Sequence, residues 1–291
     1  MDSNSKAKVI FADSRQLDKL LPEKSVDLVL SGPPYWNEVV YSNDAEQLSR
    51  IDDYNEFLRQ MGEVWKSCST VLKDGSILAI WLHDLLRKTD GGNYEYIPLH
   101  NDIVKTFPVT LTLKNIYVWD RYLNKDRGPL RDPHLGTRLQ YVLIFQKKGI
   151  SANARKIEDA LQKIYWQPIW YKKTTPKLLG SSWLFRLSFN LAKPLGRLIG
   201  NFGQRLNMAK LLKDEYVFTD YTTECPQDVS DMLVRLFSVP GDTVLDPFTG
   251  SGTTLKSALE QSCLGIGVEI NKESRSAIGK KLGNKVEFLN I

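Results

Sequence analysis

The chain has 291 residues, 42% of them hydrophobic, which is enough for one large α/β domain or two modest ones with a sizeable core. Its formal net charge of +5 is mild, so a charged partner must be inferred from where the charge lies. Three scattered cysteines argue against a disulfide framework and, with no apolar run long enough for a signal peptide or a membrane span, favour a cytoplasmic protein.

Strands and helices are predicted to alternate along most of the chain. The first clear helix starts at Asp53, where Asp53 and Glu56 form a capping box, and is predicted to end at residues 73–75. The predicted strands, all short apolar runs between polar residues, are residues 8–13, 25–31, 76–82, 111–119, 139–146, 242–246 and 265–270. The other predicted helices are residues 15–21, 228–237 and 253–261. Residues 111–119 and 139–146 are expected to pair as an antiparallel edge.

Residues 151–220 differ in character from the rest of the chain. They carry twelve Lys and Arg against five Asp and Glu, with Trp and Phe side chains between the cations. Prolines and glycines interrupt any long periodicity there. The segment therefore reads as an inserted basic module, which gives three predicted regions: residues 1–150, 151–220 and 221–291.

Two motifs stand out because each follows a predicted strand. The first, S-G-P-P-Y-W from Ser31 to Trp36, places two prolines at a strand end, and they would aim main-chain carbonyls rigidly outward. The second is D-P-F-T-G-S-G-T-T from Asp246 to Thr254, a glycine-rich turn into a helix, with Glu269 at the end of the next strand. This arrangement is typical of a nucleoside-cofactor site, and the absence of a G-K-[ST] step disfavours nucleotide hydrolysis.

Together the two motifs resemble those of the DNA amino-methyltransferases, which use S-adenosylmethionine to methylate cytosine N4 or adenine N6. The P-P-Y motif precedes the F-x-G-x-G motif here, with a basic segment between, which is the order of the permuted group called beta. The resemblance implies a Rossmann-like class I methyltransferase fold, circularly permuted. Its sheet would be mostly parallel with an antiparallel edge hairpin, and residues 151–220 would be the target-recognition region.

The resemblance also implies roles for individual residues. The catalytic group is Ser31, Gly32, Pro33, Pro34 and Tyr35, which would hold the amine of a flipped base while Tyr35 stacks on it. The cofactor group is Asp13, Asp246, Phe248, Gly250, Gly252, Thr253 and Glu269. The substrate group is Trp36, Lys172, Lys173, Arg186 and Arg197. Arg127, Arg131 and His134 are further candidates for DNA contact, and no metal site is expected because the histidines show no ligand spacing.

Gly32 departs from the family pattern. It stands where members have Asp, Asn or Ser, whose side chain accepts a hydrogen bond from the target amine. Loss of one such oriented bond costs about 2–4 kcal/mol in the barrier unless another group replaces it. A catalytically weakened or inactive DNA- or cofactor-binding protein is therefore an alternative, as is an RNA or protein amine methyltransferase. Ser31 and Trp36 favour cytosine N4 over adenine N6. Double-stranded DNA is the expected partner, and a homodimer and a restriction endonuclease are further candidates.

Overall fold

The computed structural model describes residues 6–38, 46–89, 91–120, 139–165, 169–171 and 225–289. The chain divides into two compact units, one of residues 1–121, 127–170 and 221–291 and the other of residues 122–126 and 171–220. Apart from Tyr171, the second unit lies outside the described residues. The fold below is that of the first unit.

Strands β1 to β11 form a nine-stranded mixed sheet and a separate two-stranded hairpin. Their bounds are β1 (Ala7–Phe11), β2 (Val26–Ser31), β3 (Leu72–His83), β4 (Leu85–Lys88), β5 (Tyr94–Ile97), β6 (Leu111–Asp120), β7 (Leu139–Lys147), β8 (Ile169–Tyr171), β9 (Thr243–Asp246), β10 (Leu264–Glu269) and β11 (Val286–Leu289). The order in the large sheet is β11-β1-β10-β9-β2-β3-β7-β6-β8, and β4 pairs with β5 in the hairpin.

Helices cover the sheet. They are α1 (Leu17–Leu20), α2 (Tyr54–Val71), α3 (Leu99–Val104), α4 (Ala154–Tyr165), α5 (Gln227–Phe237), α6 (Thr253–Glu260) and α7 (Ser274–Leu282). In the described part of the chain, none is long and apolar enough to span a membrane.

The strands from β11 to β3 pair in parallel, and this half of the sheet positions the two motifs. β2 lies between β9 and β3, so the strand that carries the P-P-Y motif is adjacent to the strand that carries the glycine-rich turn. Because parallel neighbours end at the same edge of a sheet, both motifs leave that edge side by side. Strands β2 and β3 are buried almost throughout, as expected for parallel strands covered on both faces.

The predicted antiparallel pair is confirmed. β7 runs antiparallel to both β3 and β6, and it joins the parallel half of the sheet to its far side. The pair does not form the outer edge by itself, since β8 follows β6 in the strand order.

Helix α2 begins as predicted and ends earlier than predicted. The carboxylate of Asp53 accepts a hydrogen bond from the Glu56 amide at 2.7 Å, which caps the first turn. The helix stops at Val71 because Leu72 is already extended and pairs with Val26 of β2. Gly75 does not terminate a helix; its φ of 72° lies within β3, where the register between β2 and β3 shifts.

Several elements were not predicted from the sequence. They are the β4–β5 hairpin, α3, α4, α7 and β11. Helix α4 falls inside the segment predicted as a target-recognition region, and it packs against α5 within the first unit. The predicted role of residues 172–220 stays a prediction, since they lie outside the described residues.

Candidate active site

The two motifs line one cavity of about 360 Å³ at the carboxyl edge of the parallel strands. The corner contributes Gly32, Pro33 and Pro34, and the glycine-rich turn contributes residues 246–251 with Thr253 and Thr254. The remaining lining residues are Asp13, Ser14, Glu46, Gln47, Leu48, Ser49, Cys225, Glu269, Ile270, Asn271, Ser274 and Ala277. The expectation that these distant segments meet at one end of the sheet is met by this geometry.

Ser31 is directed at the glycine-rich turn. It is the last residue of β2 and is fully buried, and its Oγ donates a hydrogen bond to Asp246 Oδ1 at 2.5 Å. Its hydroxyl is thus engaged with the neighbouring strand and does not stand in for the acceptor that Gly32 lacks. The bond ties the end of β2 to the end of β9.

Gly32 has room for a side chain. A Cβ built at this position would lie 3.7 Å from the Trp81 carbonyl oxygen, an ordinary van der Waals contact, and Gly32 does not adopt the left-handed backbone that requires glycine. The lack of an acceptor at position 32 is therefore not imposed by packing.

The aromatic residues of the motif point away from the cavity. Tyr35 is 1% exposed and stacks on His83, with ring centroids 4.1 Å apart. Trp36 is 7% exposed, and its indole N–H donates to the Ile51 carbonyl at 2.7 Å. Neither ring lines the cavity, so the open stacking platform expected at Tyr35 and Trp36 is absent from this structure, and both rings belong to the core.

Asp246 is held by three donors. Its carboxylate accepts from Ser31 Oγ, from the Phe248 amide at 3.0 Å and from the Thr254 hydroxyl. The group is fully enclosed, and burial raises its pKa, although these hydrogen bonds oppose the shift. Asp246 is thus a pre-oriented carboxylate at the junction of the two motifs.

The two glycines of the turn have different neighbours. Gly250 lines the cavity with a φ of 52°, whereas Gly252, with a φ of 91°, starts α6 and faces Ile278 and Leu282 of α7. Thr249 fixes the turn because its amide donates to the Val268 carbonyl at 3.1 Å. The cofactor assignment thus gains geometric support at Gly250, while Gly252 serves helix packing.

Glu269 faces the turn from the end of β10. One carboxylate oxygen accepts from the Gly250 amide and the other from the Asn271 amide, both at 2.8 Å. Burial raises its pKa. Each oxygen keeps a lone pair for a further donor, which suits a carboxylate that would receive ligand hydroxyls.

Asp13 and Thr253 line the cavity with partners of their own. Asp13 caps the turn that follows β1, and it accepts from the Arg15 amide at 2.8 Å and from Arg15 Nε at 2.7 Å. Thr253 receives a hydrogen bond from Lys281 Nζ at 2.7 Å. Phe248 also lines the cavity and meets the Trp65 ring edge-on.

All the charged side chains that line the cavity are acidic. They are Asp13, Glu46, Asp246 and Glu269, and the described lining includes no Lys, Arg or His. A cavity walled in this way favours a cationic ligand and disfavours a polyphosphate. In the described part of the chain, no group of three His, Cys, Asp or Glu side chains is arranged to hold a metal ion.

Sequence reasoning missed several residues around the cavity. Arg15 links Asp13 to Glu46 through its guanidinium, and Ser14 Oγ donates to the Pro247 carbonyl. Gly267 lies against Thr249, where a Cβ would approach Thr249 Oγ1 to 2.3 Å. Of these, only Gly267 left a trace in the sequence, as a glycine inside an apolar strand.

The predicted DNA-contacting cations fall in other parts of the chain. Lys172, Lys173, Arg186 and Arg197, like Arg127, Arg131 and His134, lie outside the described residues. His83 and His100 are partnered within the first unit: His83 stacks on Tyr35, and the His100 ring lies 2.7 Å from the Asp84 carboxylate.

Comparison with known proteins gives concordant matches over almost the whole chain. Residues 26–280 match the family model described as DNA methylase. The Type II methyltransferase M.MjaI of Methanocaldococcus jannaschii is 27% identical, covering 100% of this chain and 98% of the relative. The DNA adenine methyltransferase YhdJ of Escherichia coli K12 is also 27% identical, covering 93% and 80%.

Solved structures show the same fold. The S-adenosyl-L-methionine complex of TTHA0409, a DNA modification methylase from Thermus thermophilus, superposes with a TM-score of 0.63 at 23% identity, covering 98% of both chains. The cytosine-N4-specific PvuII DNA methyltransferase superposes with a TM-score of 0.57 at 17% identity, covering 98% of this chain and 92% of that one.

Proposed function

The chain belongs to the DNA methylase family, whose model covers residues 26–280, and we propose that it methylates cytosine N4 in double-stranded DNA with S-adenosylmethionine as the methyl donor. Membership makes it a DNA amino-methyltransferase of the N4 or N6 type. The observation that carries the proposal is the single cavity in which the P-P corner meets the acidic glycine-rich turn.

The residues of the cavity fit S-adenosylmethionine. The cofactor carries a sulfonium and an ammonium group, and four carboxylates line the cavity without an opposing Lys or Arg among the described residues. Its volume, about 360 Å³, falls within the range of small-ligand pockets. We assign Glu269 to the ribose hydroxyls, Asp246 to the ammonium group and the Gly250 turn to the adjoining main-chain contacts. Asp13 is assigned to the adenine end.

The corner is assigned to the target amine. An exocyclic amine is a poor nucleophile because its lone pair is delocalised into the ring, so acceptors must hold its N–H groups and direct the lone pair. The carbonyls of Gly32 and Pro33 are the acceptors that the corner offers, since Ser31 is bound to Asp246. When bound, the cofactor supplies an electrophilic methyl group.

The base must leave the duplex to reach this corner. Tyr35 is the ring predicted to stack on it, and in the present structure this ring packs on His83 with 1% of its surface exposed. Stacking of an extruded base on Tyr35 therefore requires one face of that ring to open. His83 would remain as support on the other face.

Cytosine is preferred over adenine because the P-P corner is followed by Tyr35 and Trp36 and preceded by Ser31. Adenine N6 is the second candidate, and the relative YhdJ, named as an adenine methyltransferase, favours it. The homodimer and the partner restriction endonuclease stay predictions, although several relatives are Type II methyltransferases.

One experiment separates these outcomes. Plasmid DNA from a host without its own methylation is incubated with the protein and radiolabelled S-adenosylmethionine, then digested for nucleoside mass spectrometry. N4-methylcytosine is the expected product, and N6-methyladenine would select the second candidate. S-adenosylhomocysteine binding without either product would identify a catalytically inactive family member, and labelled RNA in a parallel reaction would redirect the substrate assignment.

A further inference from the structure

The β4–β5 hairpin presents two exposed tyrosine rings on one face. In its register Lys88 lies opposite Tyr94 and Leu86 opposite Tyr96, and side chains two apart on a strand share a face. Tyr94 is 54% exposed and Tyr96 52% exposed. Among the described Phe, Trp and Tyr side chains, these two alone count as exposed. We call Leu86, Lys88, Tyr94 and Tyr96 the outer face.

The opposite face of the hairpin is fixed to the protein core. Leu85 and Ile97 are buried in the same hydrophobic cluster as Tyr35 and Trp36. The Arg87 guanidinium lies 5.0 Å from the centre of the Trp36 ring, within cation–π range. The hairpin therefore packs directly behind the P-P-Y-W corner.

A buried carboxylate secures the base of the hairpin. Asp84 is fully buried between β3 and β4 and accepts hydrogen bonds from the Tyr96 hydroxyl and from the His100 amide at 3.0 Å. The His100 ring nitrogen lies 2.7 Å from the same carboxylate, and the His100 ring stacks on Tyr141 of β7. The outer face is thus presented by a braced element and not by a free loop.

We propose that the outer face contacts the DNA duplex beside the target base, with Lys88 at a phosphate and the tyrosine rings against bases or sugars. The proposal rests on the function proposed above. The hairpin leaves the carboxyl end of β3, the neighbour of the strand that carries the corner, so a base held at the corner brings its flanking nucleotides to this side of the molecule. Rings stack on any base, and a rigid aromatic surface loses little conformational entropy on binding.

The test compares hairpin variants with matched surface variants. Tyr94→Ala and Lys88→Ala are the test variants. The controls are Lys66→Ala on α2, where the side chain is 73% exposed, and Leu264→Ala, which removes an apolar side chain that is 47% exposed. The readout is fluorescence anisotropy with a labelled DNA duplex and S-adenosylhomocysteine at several salt concentrations. Thermal melting checks that each variant folds.

We expect Tyr94→Ala to weaken duplex binding about 5- to 100-fold. Lys88→Ala should lower the slope of log affinity against log salt by about 1. Tyr94→Phe, which keeps the ring, should bind like the wild type, and both controls should leave affinity and slope unchanged.

Two results would overturn the inference in distinguishable ways. A wild-type protein that binds and methylates DNA, with Tyr94→Ala and Lys88→Ala indistinguishable from it, would overturn this inference and leave the proposed function standing. A wild-type protein that binds no duplex would overturn both. If Tyr94→Ala instead abolished a dimer seen by light scattering while DNA binding persisted, the outer face would belong to a second copy of the chain.

Discussion

At the residue scale, position 32 gives the sharpest test of catalysis. Gly32→Ser should raise the single-turnover methylation rate about 10-fold or more, because the hydroxyl supplies the missing acceptor and the site has room for it. Gly32→Ala is the matched control, since it adds the Cβ without the acceptor, and it should show no gain. A serine variant no faster than the wild type would mean that another group already holds the amine.

Glu38, two residues after Trp36, predicts a pH dependence of stability. Its carboxylate lies 3.7 Å from His83 Nε2, and burial raises the pKa of Glu38 from 4.5 to about 7. A carboxyl with a raised folded-state pKa stabilises the fold below the unfolded-state pKa and loses that contribution as pH rises through the folded-state value. The free energy of unfolding of the wild type should therefore fall relative to Glu38→Gln between pH 4.5 and pH 7.

The expected fall is about 1 kcal/mol, because solvent screens a side chain that is 35% exposed. Urea titrations of both proteins at a series of pH values measure it, and the other titrating groups cancel in the difference. Parallel curves across that window would show that Glu38 ionises normally.

Single residues also mark how far sequence reasoning reached. Gly32, Pro33, Pro34, Asp246, Phe248, Gly250 and Glu269 were predicted around one site, and all line the cavity. Ser31 and Trp36 were misjudged in orientation, because the direction of a side chain at a strand end depends on strand register and on neighbours that the sequence does not display. Arg15 carried no signal at all, since its partners Asp13 and Glu46 become adjacent only in the fold.

At the scale of elements, β10 and the glycine-rich turn depend on the absence of a side chain at Gly267. A Cβ there would lie 2.3 Å from Thr249 Oγ1 and 2.9 Å from Leu255 Cδ1. Gly267→Ala should therefore destabilise the protein by about 1–3 kcal/mol and weaken S-adenosylhomocysteine binding, as the turn is pushed away from the strand. Urea unfolding and calorimetric titration measure the two effects.

The control for this variant is Gly279→Ala in α7, where a Cβ would lie 4.0 Å from Phe288 Cζ. Alanine is the better helix former, so this variant should match or exceed the wild type in stability. Equal behaviour of the two variants would contradict the argument for close packing at Gly267.

Elements with strong periodicity or clear caps were predicted well, and short or mixed ones were not. The Asp53 cap and the apolar runs fixed α2 and the central strands within a few residues. The hairpin at residues 85–97 escaped because Leu85 and Ile97 are the only members of its strands that are buried, which leaves no alternation to read. Helix α7 carries its apolar contacts at few positions, chiefly Ile278 and Leu282, and gave equally little signal.

At the scale of the whole molecule, the cavity joins segments from both ends of the chain, so a ligand bound there should stabilise the entire first unit. S-adenosylhomocysteine at 100 times its Kd adds about 2.7 kcal/mol, enough to raise Tm by several degrees. Differential scanning calorimetry with and without ligand measures the shift. Asp246→Asn, which keeps the shape and removes the charge, should reduce it, and a full shift in that variant would argue against the assigned role of Asp246.

The whole architecture was predictable mainly through the family resemblance. Strand and helix alternation alone indicated an α/β class, whereas the order of the two motifs implied the permuted topology, which the fold and its structural relatives confirm. Residues 172–224 contain most of the predicted DNA-contacting cations, and their role stays a prediction.

The strand order also has a consequence for how the protein is made. β1, the first strand to leave the ribosome, has β10 and β11 as its neighbours, and β2 needs β9 on one side. These partners are synthesised more than 200 residues later, so the nascent chain exposes two apolar strands without neighbours for most of translation. Such edges attract chaperones and invite aggregation, and expression yield should therefore respond to chaperone supply more than to changes on the finished surface.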